Sequence, residues 1–106
     1  MDTAATPPAA ITLIGAPTDV GGGARGASMG PEALRVAGLA QALRDQGADV
    51  QDAGNLAGPP NPGLPPVQGF RHLAEVTAWN QAVHQAVRAT LQDGRLPLLL
   101  GGDHSL

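Results

Sequence analysis

Residues 96–106 read LPLLLGGDHSL: an apolar run, two glycines, then Asp103, His104 and Ser105. A continuous aliphatic run of this length, stopped by glycine, suits a strand covered on both faces of a parallel sheet. Such strands deliver reactive side chains at their carboxyl ends, where loops vary and the next helix presents its positive N-terminus. Working outward from this strand, the question is whether the rest of the chain supplies the partners that such a sheet needs.

It does. AITLIGAP, residues 10–17, is a second aliphatic and β-branched run closed by Gly15 and Pro17, and it reads as the first strand. The Gly-rich stretch TDVGGGARGASMG follows it. GPEALRVAGLAQALRDQG then predicts one helix, with Pro31 at the first helical position, Glu32 in the positive first turn and Gly47 as its stop. Ala33, Val36, Ala37, Ala40 and Leu43 share one face, which should pack on the sheet. ADVQDAG, residues 48–54, is a weaker strand ending at Asp52, and the five prolines of NLAGPPNPGLPPVQG make the next stretch a long surface loop. Leu73, Val76, Val83, Val87 and Leu91 form the apolar seam of a second helix over residues 71–92. Strand, helix, strand, helix, strand predicts an α/β fold with a parallel sheet covered by helices, without internal repeat or domain boundary.

Composition narrows the function. The 106 residues carry a formal charge of −3 and six scattered Lys and Arg, which leaves no basic footprint for nucleic acid or an anionic membrane surface. There is no cysteine, so disulfides and thiolate metal sites are excluded. No run approaches the length of a bilayer span, and MDTAATPPA lacks the pattern of a signal peptide; residues 1–9 are expected to be a disordered leader of a cytoplasmic protein. With 15 Gly, 10 Pro and only Phe70 and Trp79 as aromatics, the core must be aliphatic and thin, with Trp79 a packing residue.

Three segments are expected at the carboxyl edge of the sheet: the loop from Asp19 to Gly30, Asp52, and Gly101 to Ser105. The glycines beside His104 would leave room for a ligand or metal next to the imidazole. The plain alternative is a Gly-Gly turn, an Asp or Ser helix cap and an incidental histidine, and the local sequence by itself favours that alternative. Gly21 to Gly26 is a literal G-x-G-x-x-G with Asp52 as the matching acid. A dinucleotide fingerprint, however, must follow its strand directly and open the helix, and this one lies in mid-loop. His72 and His84 are 12 positions apart on one helix, hence on different faces, and read as surface histidines. Glu32, Glu75 and Asp45 read as helix-surface acids, and Met29 and Phe70 carry no functional signal.

IGAPTDVGGGARGASMGPEALRVAGL, DVQDAGNL and GRLPLLLGGDHSL together resemble the N-terminal third of the ureohydrolases, most closely the arginases. The form D-x-G-x-x-x-R-G-x-x-x-G-P followed by R-x-A-G-L is the arginase-like feature; Ser28 departs from it, standing where many relatives have an acid. The resemblance implies the N-terminal part of a three-layer α/β/α sandwich and a site with two Mn2+ ions. Their bridging water or hydroxide attacks the guanidinium carbon of L-arginine to give ornithine and urea. It implies His104 as the first metal ligand, Asp103 as a supporting acid, and a homo-oligomeric parent, trimer or hexamer. The family's remaining metal ligands and its catalytic His and Glu lie in downstream segments that do not occur here. The expectation is therefore an N-terminal portion, residues 1–106, inactive and poorly folded alone. Agmatinase or another guanidino-compound hydrolase, a nucleotide-binding half-domain, and a non-catalytic module docking on intact copies stand as alternatives.

Overall fold

The computed structural model describes residues 7–106. Most of the expected leader lies outside those residues, but its last residue is already ordered: the Ala9 carbonyl accepts the Asp49 N–H at 2.8 Å. The elements run β1 (Ala10–Gly15), a 3-10 turn (Ala27–Met29), α1 (Gly30–Val36), α2 (Leu39–Asp45), β2 (Asp49–Asn55), α3 (Leu73–Gln92) and β3 (Leu96–Leu100). Among the described residues no helix is long and apolar enough to cross a membrane.

The three strands form one parallel sheet in the order β2-β1-β3. β1 is central because it is apolar on both faces: Ile11, Thr12, Leu13 and Ile14 are all buried. Pro97 has no N–H for a ladder, and β3 accommodates it as an outer strand. Successive strand residues face opposite sides. Leu98 and Leu100 join Ile11, Leu13 and Val50 beneath Leu39, Ala40 and Leu43 of α2, whereas Leu99 joins Val20 and Trp79 beneath Val76 and Val83 of α3. Helices thus cover both faces, giving the α/β/α layering.

The single helix expected over residues 30–47 is broken in two. Gly38 takes a left-handed φ of 92°, which turns the chain so that α2 approaches the sheet at a new angle. The expected apolar face does not persist through the turn: Val36 is 81% exposed, and Leu39 takes its place in the core. α2 ends as expected at Gly47, where Gly47 N–H bonds Arg44 O and Ala48 N–H bonds Leu43 O, the paired bonds of a Schellman cap. On α3 the buried face is Val76, Trp79, Val83 and Thr90. Leu73 and Leu91, the two ends of the predicted seam, are exposed.

Candidate functional site

The carboxyl ends of β1 and β3 lie side by side, Gly15 opposite Leu100. The chain leaving β1 stays buried through Ala16, Thr18, Asp19 and Val20, and the chain leaving β3 is laid along it. Ala16 N–H donates to Leu100 O at 2.8 Å, and Asp103 N–H donates to Thr18 O at 3.0 Å. The Asp103 carboxylate completes the seam, its Oδ2 accepting Gly21 N–H at 2.8 Å and its Oδ1 accepting Ser105 N–H at 2.7 Å. Ser105 Oγ is buried beside it without the geometry of a full hydrogen bond. Burial pushes the Asp103 carboxyl up, but the donors from Ser105 and Gly21 outweigh it and hold the group below its ordinary value of 3.8. From the other side, Asn80 of α3 donates to Ser105 O at 2.9 Å.

Gly102 makes room for the protein's own atoms. A side chain at Gly102 would come within 2.7 Å of the Ala16 carbonyl and of Leu106 Cδ1, and φ there is 116°. At Gly102 the space is taken by the Ala16 carbonyl and the Leu106 side chain. Gly30, at the start of α1, is required in the same way, since a Cβ there would overlap the Gly101 carbonyl. His104 alone turns outward: it is exposed, and its ring makes no hydrogen bond within the described residues.

Asp19 is the second anchor of this edge. Asn61 Nδ2 donates to its Oδ1 at 2.9 Å and Gly26 N–H to its Oδ2 at 3.2 Å, and these bonds, Asn61 first, draw its carboxyl below 3.8. The Gly-rich loop is thereby fixed to the Pro-rich one, which is long and superficial as expected, yet ordered. A further clip holds it at Trp79, whose Nε1 donates to Pro59 O at 2.8 Å. Trp79 is 4% exposed, the packing residue the sequence suggested.

Two sequence expectations fail here. His72 is not a surface histidine on α3: it precedes the helix in a left-handed conformation, φ 50°, and is buried. Its Nδ1 lies 2.7 Å from Val20 O and its Nε2 accepts Leu64 N–H at 3.0 Å, so it bridges the Gly-rich and Pro-rich loops. Asp52 does not reach the carboxyl edge as a free acid. It lies within β2 and takes a two-point bond from Arg35 of α1, Nε to Oδ2 at 2.9 Å and Nη2 to Oδ1 at 3.1 Å. That guanidinium holds its carboxyl below 3.8 and braces helix to sheet. His84 is exposed on α3, as expected.

G-x-G-x-x-G is indeed remote from both elements it would have to join, β1 ending at Gly15 and α1 starting at Gly30. Its amides at Gly21, Gly22 and Gly26 are already bonded to Asp103, Asp19 O and Asp19 Oδ2. The geometry of a dinucleotide cradle is therefore missing. Among the described residues no three of His, Asp and Glu converge as metal donors, so a dinuclear manganese centre does not fit these residues alone. Sequence reasoning passed over Asn80 and Asn61. For Asn80 the available signal was a polar residue on the apolar face between Val76 and Val83; for Asn61 there was none.

The model of the arginase family matches residues 9–106. The arginase of Bacillus subtilis is 38% identical over 97 residues, a stretch covering 91% of this chain and 32% of that protein. The arginase of Brucella melitensis is 37% identical over 95 residues, 89% and 31% respectively. Among solved structures, Bacillus caldovelox arginase superposes with a TM-score of 0.80 at 38% identity, over 93% of this chain and 33% of that one. The chain thus spans about a third of the length of the relatives it matches, and its layers correspond to the N-terminal part of their fold.

Proposed function

The chain belongs to the arginase family, and from that premise we propose that it furnishes the first wall of a manganese-dependent site hydrolysing L-arginine to L-ornithine and urea. His104 is the metal donor that this wall contributes. The observation carrying the reading is the seam between the β1 and β3 loops, in which the Asp103 carboxylate and the Asp103 and Ser105 N–H groups on either side of His104 are bonded within the protein while that imidazole faces solvent.

Manganese, when bound, would supply a metal-activated water as nucleophile and neutralise charge on the tetrahedral carbon. The chain's own part is positional. Asp103 fixes the backbone on both sides of His104 through Gly21 and Ser105, and Asn80 pins Ser105 to α3, so the imidazole is delivered from a braced loop. The other donors come from the two thirds of the family's length that the chain does not span. The 106 residues alone accordingly turn over no arginine, because a single imidazole does not hold a catalytic metal pair.

The test is urea release by the product of the intact gene, incubated with Mn2+ and either arginine or agmatine. Arginine is the expected substrate. His104→Ala should lower the rate by about 100-fold or more, given that loss of a group merely supporting a ligand costs 10–100-fold. A preference for agmatine would move the activity to another ureohydrolase. An unchanged rate in H104A, with an unchanged circular dichroism spectrum, would remove His104 from the site.

A further inference from the structure

Apart from the His104 edge, the Gly-rich and Pro-rich loops line a cavity of about 180 Å3, walled by Gly22, Gly23, Arg25, Asn61, Arg71 and His72 among others. Neither Asp103 nor His104 lines it, and neither does any Asp or Glu.

Its walls present positive charge and donors. The described ion pairs are Arg35 with Asp52 and Arg95 with Asp49; neither Arg25 nor Arg71 has a carboxylate within ion-pair distance among the described residues. Asp19 feels the Arg25 charge at longer range, but its two oxygens are occupied by Asn61 and Gly26. The backbone N–H groups of Gly21, Gly22 and Gly26 have protein acceptors, whereas those of the exposed wall residues Gly23, Ala24 and Arg25 have none among the described residues. The polar side chains that might have supplied acceptors are committed. Asn61 donates to Asp19 and accepts from Gly63 N–H at 2.8 Å, and His72 is bonded to Val20 and Leu64. Those same bonds tie the two walls together, so the cavity's shape is set without a ligand.

We propose that this cavity is a binding site for a small dianion, a dicarboxylate or a phosphate, held between the guanidinium groups of Arg25 and Arg71. Guanidinium forks match the paired oxygens of either group. A dianion suits the site better than the guanidino substrate: arginine offers a single carboxylate, while its guanidinium and ammonium are repelled by the two wall arginines and meet no wall Asp or Glu. The site is an effector or counter-ion position on the loop that also carries Gly21 and the Asp103 seam.

Isothermal titration of the intact gene product with inorganic phosphate, and separately with succinate, tests the assignment whether or not the protein hydrolyses arginine. Saturable one-site binding of at least one probe is expected. It should weaken about tenfold or more in each of Arg25→Gln and Arg71→Gln, the loss of a charge-assisted bond pair being of that order. Binding should fall with added chloride and persist in H104A and in excess arginine. Which probe binds distinguishes the carboxylate from the phosphate reading. The proposal is overturned if neither probe saturates, if only one of the two arginines matters, or if arginine displaces the anion. Arg25 is exposed and Arg71 only partly buried, so circular dichroism of both variants should match the parent.

Discussion

Asp103→Asn is the sharpest test of how the carboxyl edge is built. In the native chain both carboxylate oxygens accept backbone N–H groups, from Gly21 at 2.8 Å and Ser105 at 2.7 Å. An amide has the same shape but only one acceptor, so whichever way it turns, its NH2 group meets one of these two N–H donors. The variant loses one charge-assisted bond outright, turns the other into a neutral one, and sets donor against donor at a partly buried position. A hydrogen bond to a charged group is worth roughly 1.5–3 kcal/mol net, so the local cost should be about 2–3 kcal/mol. That corresponds to roughly a 30- to 150-fold rise in the opening equilibrium of the seam. Hydrogen exchange of the intact gene product reads this directly: protection at the Gly21 and Ser105 amides should fall by that factor, while Ile11 to Ile14 of β1 stay protected. Asp103→Ala should fall at least as far at the same two amides. Native-like protection at Gly21 and Ser105 in D103N would show that the carboxylate does not hold the seam, and the account of how His104 is positioned would go with it.

Three other outcomes follow from the same geometry. Trp79→Phe removes the bond to Pro59 O and should cost about 1 kcal/mol, whereas Trp79→Ala should cost about 3–5 kcal/mol; equal urea midpoints for the two variants would contradict the packing role of the ring. Gly30→Ala separates two effects of opposite sign. Helix propensity alone predicts stabilisation of up to about 1 kcal/mol, but the added Cβ meets the Gly101 carbonyl, and the overlap should win with a net loss of about 1–3 kcal/mol, so a raised melting temperature would refute the close approach. Acid should destabilise the fold, because Asp19, Asp52 and Asp103 all titrate below 3.8 when folded. The unfolded chain therefore takes up protons first as pH falls, and the stability these groups supply above about pH 4 is lost as pH drops through their folded values. Urea midpoints should be flat from about pH 7 to about pH 5 and fall below about pH 4; no fall there would mean that these carboxylates are not held by their partners.

The alternation of elements was legible because each rests on a local signal: two aliphatic runs closed by glycine, a Pro-rich stretch unfit for a ladder, a seam at helical spacing. What escaped depended on distance. Gly38 sits inside a helical pattern that tolerates glycine at a modest cost, and only the sheet beneath α2 explains why the chain must turn there. His72 looked superficial because its partners, Val20 and Leu64, are 52 and 8 positions away in the chain. Asp52 looked free because its partner is on α1, 17 positions back. In each case a long-range contact overrode a reading that was reasonable over a window of ten residues.

The structure also explains what the matched patterns are made of. In D-x-G-x-x-x-R-G-x-x-x-G-P, Asp19 accepts from Gly26 and Asn61, Gly21 donates to Asp103, and Gly30 makes way for Gly101. In R-x-A-G-L, Arg35 braces β2, Gly38 turns the chain and Leu39 fills the core. In G-G-D-H-S, Gly102 admits the Ala16 carbonyl and Asp103 closes the seam. Five titratable residues belong to these patterns: Asp19, Arg25, Arg35, Asp103 and His104. Three of them are spent on holding the fold, so a fold requirement alone is enough to account for them. Arg25 and His104 have no bonded partner among the described residues. The plain reading of His104 as an incidental residue in a Gly-Gly turn is compatible with this geometry, since the turn is built by its neighbours and asks nothing of the imidazole. On the proposed readings a role for either side chain lies in something that binds from outside, and the activity of H104A and the anion titration of Arg25→Gln decide it.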